Sequence, residues 1–256
     1  MSPILGIGGG VFLIPFLLFV IKIPIHQAIA TSLVTVIATS SAAASVNVGR
    51  QLANIPLGMT LELTTTIGAI LGGVTAGLLQ AQVLHLLFGI LLVIVAIFMM
   101  LRLSVADLPI TSSSPGALGG RYYDPLLGCQ VSYGVRRLPL AMAISLLAGN
   151  ISGLLGVGGG VIKVPALTLI CGIPIKAATA TSNFMIGVTA VASAFIYYAR
   201  GQVEPVVTAA TVLGVLAGSA LGTRVLPQIK SRWIVLLFFI VLLVLATEMM
   251  MKGLKR

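Results

Sequence analysis

Long stretches without a charged side chain constrain this chain more than any other feature. No Asp, Glu, Lys or Arg occurs in residues 138–162, 177–199 or 205–223, and residues 63–101 form a fourth such stretch, long enough for two membrane spans. A bilayer core requires about 20 apolar residues per helix. Only 8% of the 256 residues are charged, whereas a typical soluble domain has about 25%. The chain is therefore predicted to be an all-α, polytopic membrane protein.

The excess of positive charge has a membrane explanation. The formal net charge is +10, but the Lys and Arg residues stand singly between apolar runs and form no basic patch interleaved with aromatic residues. This distribution excludes a nucleic-acid partner and favours membrane lipids and a small anionic solute as counter-charges. The two cysteines, Cys129 and Cys171, lack the spacing of a metal site. No metal and no cofactor is expected.

An internal repeat organises the sequence. When the chain is shifted by 150 residues, the segment Gly6–Val11 falls on Gly156–Val161, and 14 of the 31 columns from Gly6 to Val36 are identical without a gap. A shared apolar composition would not align Gly, Pro and Thr-Ser positions in this way. The two halves are therefore predicted to be homologous repeats.

Each half is predicted to contain the same series of helices. A glycine-rich break leads into a short apolar segment (11–21 and 161–171) that is too short to span a bilayer. The predicted spans lie near 28–48, 57–79 and 83–101, and again near 177–199, 206–226 and 233–251, with an additional span at 138–155. The domains are residues 1–101, a first repeat lacking most of its first helix, and 138–256, a second repeat. Residues 102–137 are predicted to be a polar linker loop.

The glycine runs are the strongest candidates for a substrate site. Gly8, Gly9 and Gly10 match Gly158, Gly159 and Gly160. A glycine break inside the membrane exposes backbone groups that lipid cannot satisfy, so it persists where protein or a cavity covers it. Paired discontinuous helices of this kind bind substrate in transporters. The alternative is that these glycines only allow two helices to cross closely.

Two hydroxyl-rich motifs follow the glycine runs and are also predicted to line the cavity. They consist of Thr31 and Ser32 in the first half, and of Thr181, Ser182 and Asn183 in the second. Their side chains could hydrogen-bond a polar solute. The alternative is a local role, because Ser and Thr in membrane helices often cap a helix or bond to a carbonyl of their own helix.

Lys163 is the most informative ionisable residue. It lies three residues after Gly160, and a charge within the membrane is by default a functional candidate with a partner. The alternative is that its long side chain reaches out to the interface. Glu62 has no counterpart in the second half, since Val212 occupies its column, and this weakens the idea of a symmetric proton relay.

A second set of glycines is predicted to serve packing alone. One predicted span contains Gly68-xxx-Gly72 and Gly73-xxx-Gly77, and another contains Gly214-xxx-Gly218-xxx-Gly222. Such patterns place small residues on one face of a helix, which lets two helices approach closely. Each of these two helices is therefore expected to form a seam with a neighbour.

The duplicated glycine run, Ile-Pro-Ile turn and Ala-Thr-Ser motif, within Gly6–Ser32 and Gly153–Asn183, resemble the TauE/SafE family of membrane transporters. The resemblance implies a multi-pass protein of the bacterial inner membrane that exports sulfite, sulfoacetate or similar small anions. It also implies a full helix before the first glycine run, which is reduced to five residues here.

The residues and the resemblance lead to one functional hypothesis and two alternatives. The hypothesis is export of a small inorganic or organic anion through a site between the repeats, without enzymatic activity. One alternative is a channel or carrier for a cation or another small solute. The other is an intramembrane enzyme, which is disfavoured because His26 and His85 are the only histidines and no HExxH motif occurs. The coupling ion, the relative orientation of the repeats and homo-oligomer formation are left open.

Overall fold

A computed structural model of the chain describes residues 9–49, 51–102, 116, 118–124, 128–225 and 231–254, without the side chains of 101–102, 124 and 221–237. These residues form nine α-helices and one β-hairpin. The helices are α1 (Gly10–Phe16), α2 (Ile25–Gly49), α3 (Ile55–Ala76), α4 (Ala81–Arg102), α5 (Leu138–Leu155), α6 (Gly160–Pro165), α7 (Ile175–Ala199), α8 (Pro205–Val225) and α9 (Ser231–Leu254).

Five of these helices are long and apolar enough to cross a membrane: α2, α3, α4, α5 and α7. The prediction of an all-α, multi-pass membrane bundle is thereby confirmed, and the helix bounds follow the predicted spans closely. The expected short segments are also present. The apolar helix Gly10–Ile21 and its equivalent Gly160–Ile170 are each about 18 Å long or less, well below the roughly 30 Å of a bilayer core.

A proline shapes each short segment. Pro15 and Pro165 lie at the ends of α1 and α6, and a single π-helical turn follows each of them, at Leu17–Ile21 and at Ala166–Ile170. Proline has no N–H to continue the regular i→i−4 pattern, so the backbone widens at this point. Each segment ends with a backbone hydrogen bond between residues further apart along the chain than in an α-helix. These bonds run from Ile23 N to the Leu17 oxygen and from Ile173 N to the Leu167 oxygen.

The central helices of the two halves, α2 and α7, pack antiparallel. Thr31, near the start of α2, bonds to Thr208 at the start of α8, which follows the end of α7. Conversely, Thr181, near the start of α7, accepts a hydrogen bond from Asn54, which follows the end of α2. The last pair, α4 and α9, is antiparallel too, because Gly89 contacts Ala246 while Gly253 contacts Gln82. Helices at equivalent positions therefore run in opposite directions. The common origin of the halves stays a prediction.

Helix α5 and the short segment of the second half form a helical hairpin. The backbone N–H of Arg136, just before α5, donates to the carbonyl of Cys171, just after the π turn that follows α6. The start of α5 and the end of this segment are thus neighbours. Both ends of the hairpin therefore lie at the same end of the bundle.

The linker differs from the predicted loop. Residues Gly120–Asp124 (β1) and Cys129–Tyr133 (β2) form an antiparallel hairpin. Tyr122, Val131 and Tyr133 are buried against Leu57 and other residues at one end of the bundle, which we call the hairpin face. The alternation of buried and exposed residues in Cys129–Tyr133 is the pattern of a half-buried strand. The strand was not predicted because turn-forming residues surround it in the sequence.

The opposite end, which we call the histidine face, is basic. Lys22, His26, His85 and Lys252 line one cavity of about 790 Å³ there. The Lys252 ammonium lies 4.1 Å from the centre of the Phe19 ring, a distance at which a cation is attracted to an aromatic face. This end of the bundle therefore presents two lysines and two histidines around one cavity.

Only one of the two predicted glycine seams is packed within the described residues. The backbones of α3 and α5 touch along Gly68, Gly72, Gly149 and Gly153, where an added Cβ would overlap a main-chain carbonyl of the other helix. The seam on α8 was predicted to pack in the same way. Among the described residues, nothing lies within 4 Å of a Cβ added at Gly214 or Gly218. The seam on α8 stays a prediction, because a small-residue pattern permits a close partner without supplying one.

The two seams give a matched pair of substitutions. Replacing a glycine by alanine in a helix raises helix propensity equally at both sites, so a difference between them reports packing. We expect Gly72→Ala to lower the melting temperature in detergent, on the scale of about 1–3 kcal/mol for overpacking, and Gly214→Ala to leave it unchanged or higher. Equal melting temperatures, measured by size-exclusion chromatography after heating, would contradict the seam described here.

Candidate functional site

The two glycine breaks meet in the interior of the bundle. A Cβ on Gly10 would lie only 2.6 Å from the carbonyl oxygen of Gly156 and 3.2 Å from the Cα of Val157. The caps of the two short helices, Gly9 and Gly159, have positive φ angles of 76° and 71°, a conformation that glycine adopts at low cost. The breaks thus touch backbone to backbone. Gly8 lies outside the described residues.

The second break is described in full and has a left-handed backbone at several glycines. Gly156, Gly158 and Gly159 all have positive φ angles, and Gly160 is the buried first residue of α6. A Cβ on Gly158 would also meet Ile186 at 2.8 Å. Gly158 therefore needs to be glycine for two reasons, its backbone conformation and the close approach of α7.

Ser32 ties the two breaks together. Its hydroxyl donates a hydrogen bond of 2.9 Å to the carbonyl oxygen of Gly156, so a first-half side chain satisfies a second-half backbone group. Its repeat partner, Ser182, is fully buried, and its Oγ has no hydrogen-bond partner among the described residues. The column of Gly156 in the first half is Gly6, which lies outside the described residues.

The two threonines of the hydroxyl motifs also form contacts between the halves. Thr31 and Thr208 are 3.2 Å apart, oxygen to oxygen, and Thr181 accepts a 2.9 Å hydrogen bond from the backbone N–H of Asn54. Further along α2, Thr35 donates to the carbonyl of Thr31 in its own helix, which is the local role considered above. Asn183 is buried beside Ser182. Both hydroxyl motifs thus lie at the interface of the halves, but towards opposite ends of the antiparallel pair α2 and α7.

Asn54 links this interface to the hairpin. Its side-chain oxygen accepts from Leu57 N and caps α3, while its amide nitrogen donates to the Leu118 carbonyl ahead of β1. Burial raises the pKa of the nearby Tyr133 hydroxyl, so this group stays neutral at physiological pH. The hairpin therefore packs over the same end of the bundle where Thr181 lies.

Lys163 points into the protein and does not reach the interface. The residue is only 1% exposed. Its Nζ donates a 2.7 Å hydrogen bond to Thr189 Oγ1 and lies 3.6 Å from Glu62 Oε2. Thr189 in turn lies 2.6 Å from Glu62 Oε1, to which it donates. Three elements, α3, α6 and α7, meet in this buried triad.

Two members of the triad were missed by sequence reasoning. Glu62 was set aside because its repeat column holds Val212, and Thr189 was not singled out at all. A usable signal was present, since a lysine within the membrane requires a compensating partner and the column of Lys163 in the first half holds Leu13. Each charge thus lacks a counterpart in the opposite half of the chain, which marks Lys163 and Glu62 as a pair.

One oxygen of the triad is left without a hydrogen bond. Glu62 Oε2 is buried and has no donor among the described residues, although the Lys163 ammonium lies close to it. Ser152 Oγ, on α5, is likewise buried without a partner. No group of three or more His, Cys, Asp and Glu side chains in the described part of the chain is placed to hold a metal ion. Glu62 Oε2 and Ser152 Oγ are thus buried polar atoms without a hydrogen-bond partner among the described residues.

Broken helices that meet in the bundle interior, next to buried polar groups, are typical of membrane transporters. The sequence profile "Sulfite exporter TauE/SafE" matches residues 1–249, so the chain belongs to this family of membrane transporters.

Curated relatives agree with this membership. The chain is 25% identical over 260 residues to "Probable membrane transporter protein YunE" of Bacillus subtilis (strain 168), a match that covers 99% of this chain and 93% of the relative. It is 28% identical over 229 residues to a "Probable membrane transporter protein" of Xylella fastidiosa (strain 9a5c), covering 89% and 80%. No solved structure matches the chain significantly.

The triad makes a prediction about stability. Removing one partner of a buried ion pair leaves a lone charge and costs about 3–5 kcal/mol, so Lys163→Met should strongly lower the melting temperature in detergent at neutral pH. The double variant Lys163→Met/Glu62→Gln removes both charges and should recover most of the loss. Lys22→Met, which removes an exposed lysine, serves as the control. A double variant no more stable than Lys163→Met would show that the two side chains are not coupled.

Proposed function

We propose that this protein exports small anions of the sulfite and sulfonate type across the inner membrane of a bacterium. The observation that carries the proposal is the position of Lys163, a cation buried one turn beyond the glycine break of the second half. Glu62 is the counter-ion of this ammonium within the protein, and a buried cation whose counter-ion is neutralised attracts an anion strongly, because the local dielectric constant is low. The family's description as sulfite exporters supports the choice of anion.

We further propose that the anion passes along the interface of the two halves, through the point where the broken helices meet. The residues proposed to line this path are Gly8, Gly9, Gly10, Thr31, Ser32, Gly158, Gly159, Gly160, Lys163, Thr181, Ser182 and Asn183. The hydroxyls of Ser152 and Ser182, which have no hydrogen-bond partner among the described residues, supply donors of the kind that an oxyanion accepts. This proposal treats residues 1–101 and 138–256 as repeats joined by the linker 102–137.

A cation carrier is the main alternative, and the triad argues against it. The acid that could bind a cation in the bundle interior is Glu62, and Lys163 and Thr189 already occupy its surroundings. A transported cation would have to displace a lysine ammonium. The basic cavity on the histidine face also favours an anion at that end.

An intramembrane enzyme is a weaker alternative. His26 and His85 line the basic cavity on the histidine face together with two lysines, far along the chain from the hydroxyls of the second half. We therefore propose transport without enzymatic catalysis.

The proposal predicts anion efflux that depends on Ser182. Liposomes containing the purified protein and loaded with sulfite or sulfoacetate should release the anion faster than liposomes without protein. Ser182→Ala removes a buried hydroxyl that has no hydrogen-bond partner among the described residues, and it should slow efflux about tenfold, the scale of one hydrogen bond to a charged group. Ser45→Ala, at an exposed hydroxyl bonded within its own helix, is the matched control. No efflux of either anion from the wild type would overturn the proposed function.

The basic residues predict the orientation of the protein. The described Lys and Arg positions at the hairpin face number seven (Arg102, Arg121, Arg136, Arg137, Lys176, Arg224 and Arg232), against three at the histidine face (Lys22, Arg200 and Lys252). Because cytoplasmic segments carry the excess of Lys and Arg, we propose that the hairpin face is cytoplasmic.

The native cysteines allow a direct test of this orientation. Cys129 in the hairpin is exposed, whereas Cys171 is buried. A membrane-impermeant maleimide should label Cys129 in inside-out vesicles and leave it unlabelled in intact cells. The variant Cys129→Ser should abolish the signal and thereby identify the labelled residue. Labelling in intact cells would reverse the proposed orientation.

A further inference from the structure

We infer that Glu62 is a proton-binding site, and that its protonation releases Lys163 to pair with the transported anion. The inference rests on the proposed function, since it specifies how that function is coupled to protons. In this inference, Oε1 of Glu62 keeps its hydrogen bond from Thr189, whereas Oε2 binds the proton. The anion and the Glu62 carboxylate are then alternative counter-ions of Lys163.

The geometry singles out one atom for the proton. Glu62 Oε1 accepts the hydroxyl hydrogen of Thr189 at 2.6 Å, and Thr66 lies 3.5 Å from the same oxygen. Oε2 has no hydrogen-bond donor among the described residues and faces the Lys163 ammonium at 3.6 Å. A proton can therefore bind at Oε2 without breaking the hydrogen bond from Thr189.

The charge balance then requires an anion. With Glu62 ionised, the carboxylate and the ammonium cancel. With Glu62 protonated, the Lys163 ammonium remains buried without a counter-charge, a state that is costly in a membrane interior. An oxyanion can replace the carboxylate, because its oxygens accept hydrogen bonds from an ammonium group as carboxylate oxygens do. One proton would thus bind with each anion and leave with it, and Lys163 would stay charged throughout.

The other titratable groups on the neighbouring elements lie away from the triad. Helix α3 carries no other charged residue, and α5 carries none. Tyr197 on α7 donates to the Gly153 carbonyl, and Arg200, just after α7, donates to the carbonyls of Gly73 and Val74, roughly 12 Å or more along the helix from Thr189. Tyr198 on α7 is exposed. The other groups lie towards the hairpin face: Lys176, Cys171, Arg121, Tyr122, Tyr123 and Tyr133.

The chain contains one such pair rather than two. The repeat columns of Lys163 and Glu62 hold Leu13 and Val212, although Thr39 stands in the column of Thr189. Only the second half therefore supplies a lysine, and only the first half supplies its carboxylate. This asymmetry sets an expected stoichiometry of one proton for each anion and each chain.

The test uses sulfoacetate, because both of its acidic groups stay ionised near neutral pH and cannot themselves carry the proton. Proteoliposomes enclosing a pH-sensitive dye receive an outward or inward sulfoacetate gradient. In the wild type, sulfoacetate and protons should move in the same direction, and an imposed pH gradient should drive sulfoacetate accumulation. Exchange of labelled for unlabelled sulfoacetate should rise as the pH falls.

The variant Glu62→Gln imitates the protonated carboxyl group. It should exchange sulfoacetate with no dependence on pH and should lose about tenfold or more of the accumulation driven by the pH gradient, the usual scale of coupling between two binding sites. Glu248→Gln, at an exposed acid on α9, should behave as the wild type. A purely structural ion pair would alter exchange and accumulation alike.

Each outcome bears on one proposal. If the wild type transports sulfoacetate without moving protons, or if Glu62→Gln still accumulates it in response to a pH gradient, the inference is overturned and the proposed function stands. If the wild type transports neither sulfite nor sulfoacetate, the proposed function itself fails. Should Glu62→Gln fail to fold, the proton movement of the wild type alone still decides the inference.

Discussion

The interior of a bilayer contains no water to satisfy a polar group, and the centre of this protein is arranged around that constraint. A helix that stops in the membrane leaves N–H and C=O groups that must be satisfied by protein or by a solute. Here two such helix breaks are placed against each other, Gly10 against Gly156, and Ser32 donates to the exposed Gly156 carbonyl. Each half thus covers the helix break of the other half.

The same constraint explains the buried charges. An ammonium in this environment is stable only beside an anion, and Glu62 supplies it from the other half of the chain. The ion pair therefore connects the halves as the backbone contact does, but with one difference. A backbone contact is permanent, whereas an ion pair can be neutralised by a proton or replaced by another anion. In a transporter, an ion pair that can be exchanged in this way allows a bound solute to change how the two halves pack.

The sequence predicted the fold more fully than it predicted the site. Helix bounds could be predicted because uncharged runs and glycine breaks act locally. The glycine and hydroxyl motifs indicated the interior interface, because both kinds of residue are costly or unusual in a lipid-facing helix. The hairpin at Gly120–Tyr133 was missed because its short strands depend on packing against the bundle. The antiparallel arrangement of α2 and α7 depends on contacts such as Thr31 with Thr208, and no local pattern reports these.

The treatment of Glu62 shows how symmetry can mislead. Val212 occupies the repeat position of Glu62 in the second half, and Glu62 was not chosen as a candidate site residue for that reason. The opposite inference is physically sounder. A buried acid without its base, or a base without its acid, leaves a lone charge in the membrane, so the two must be present or absent together. Here Leu13 of the first half occupies the column of Lys163, and Val212 of the second half occupies the column of Glu62, so both counterparts are absent. In a duplicated membrane protein, two opposite charges that both lack counterparts in the other repeat are therefore candidates for a mutual contact. Such a departure from the repeat marks a position where the two halves perform different tasks.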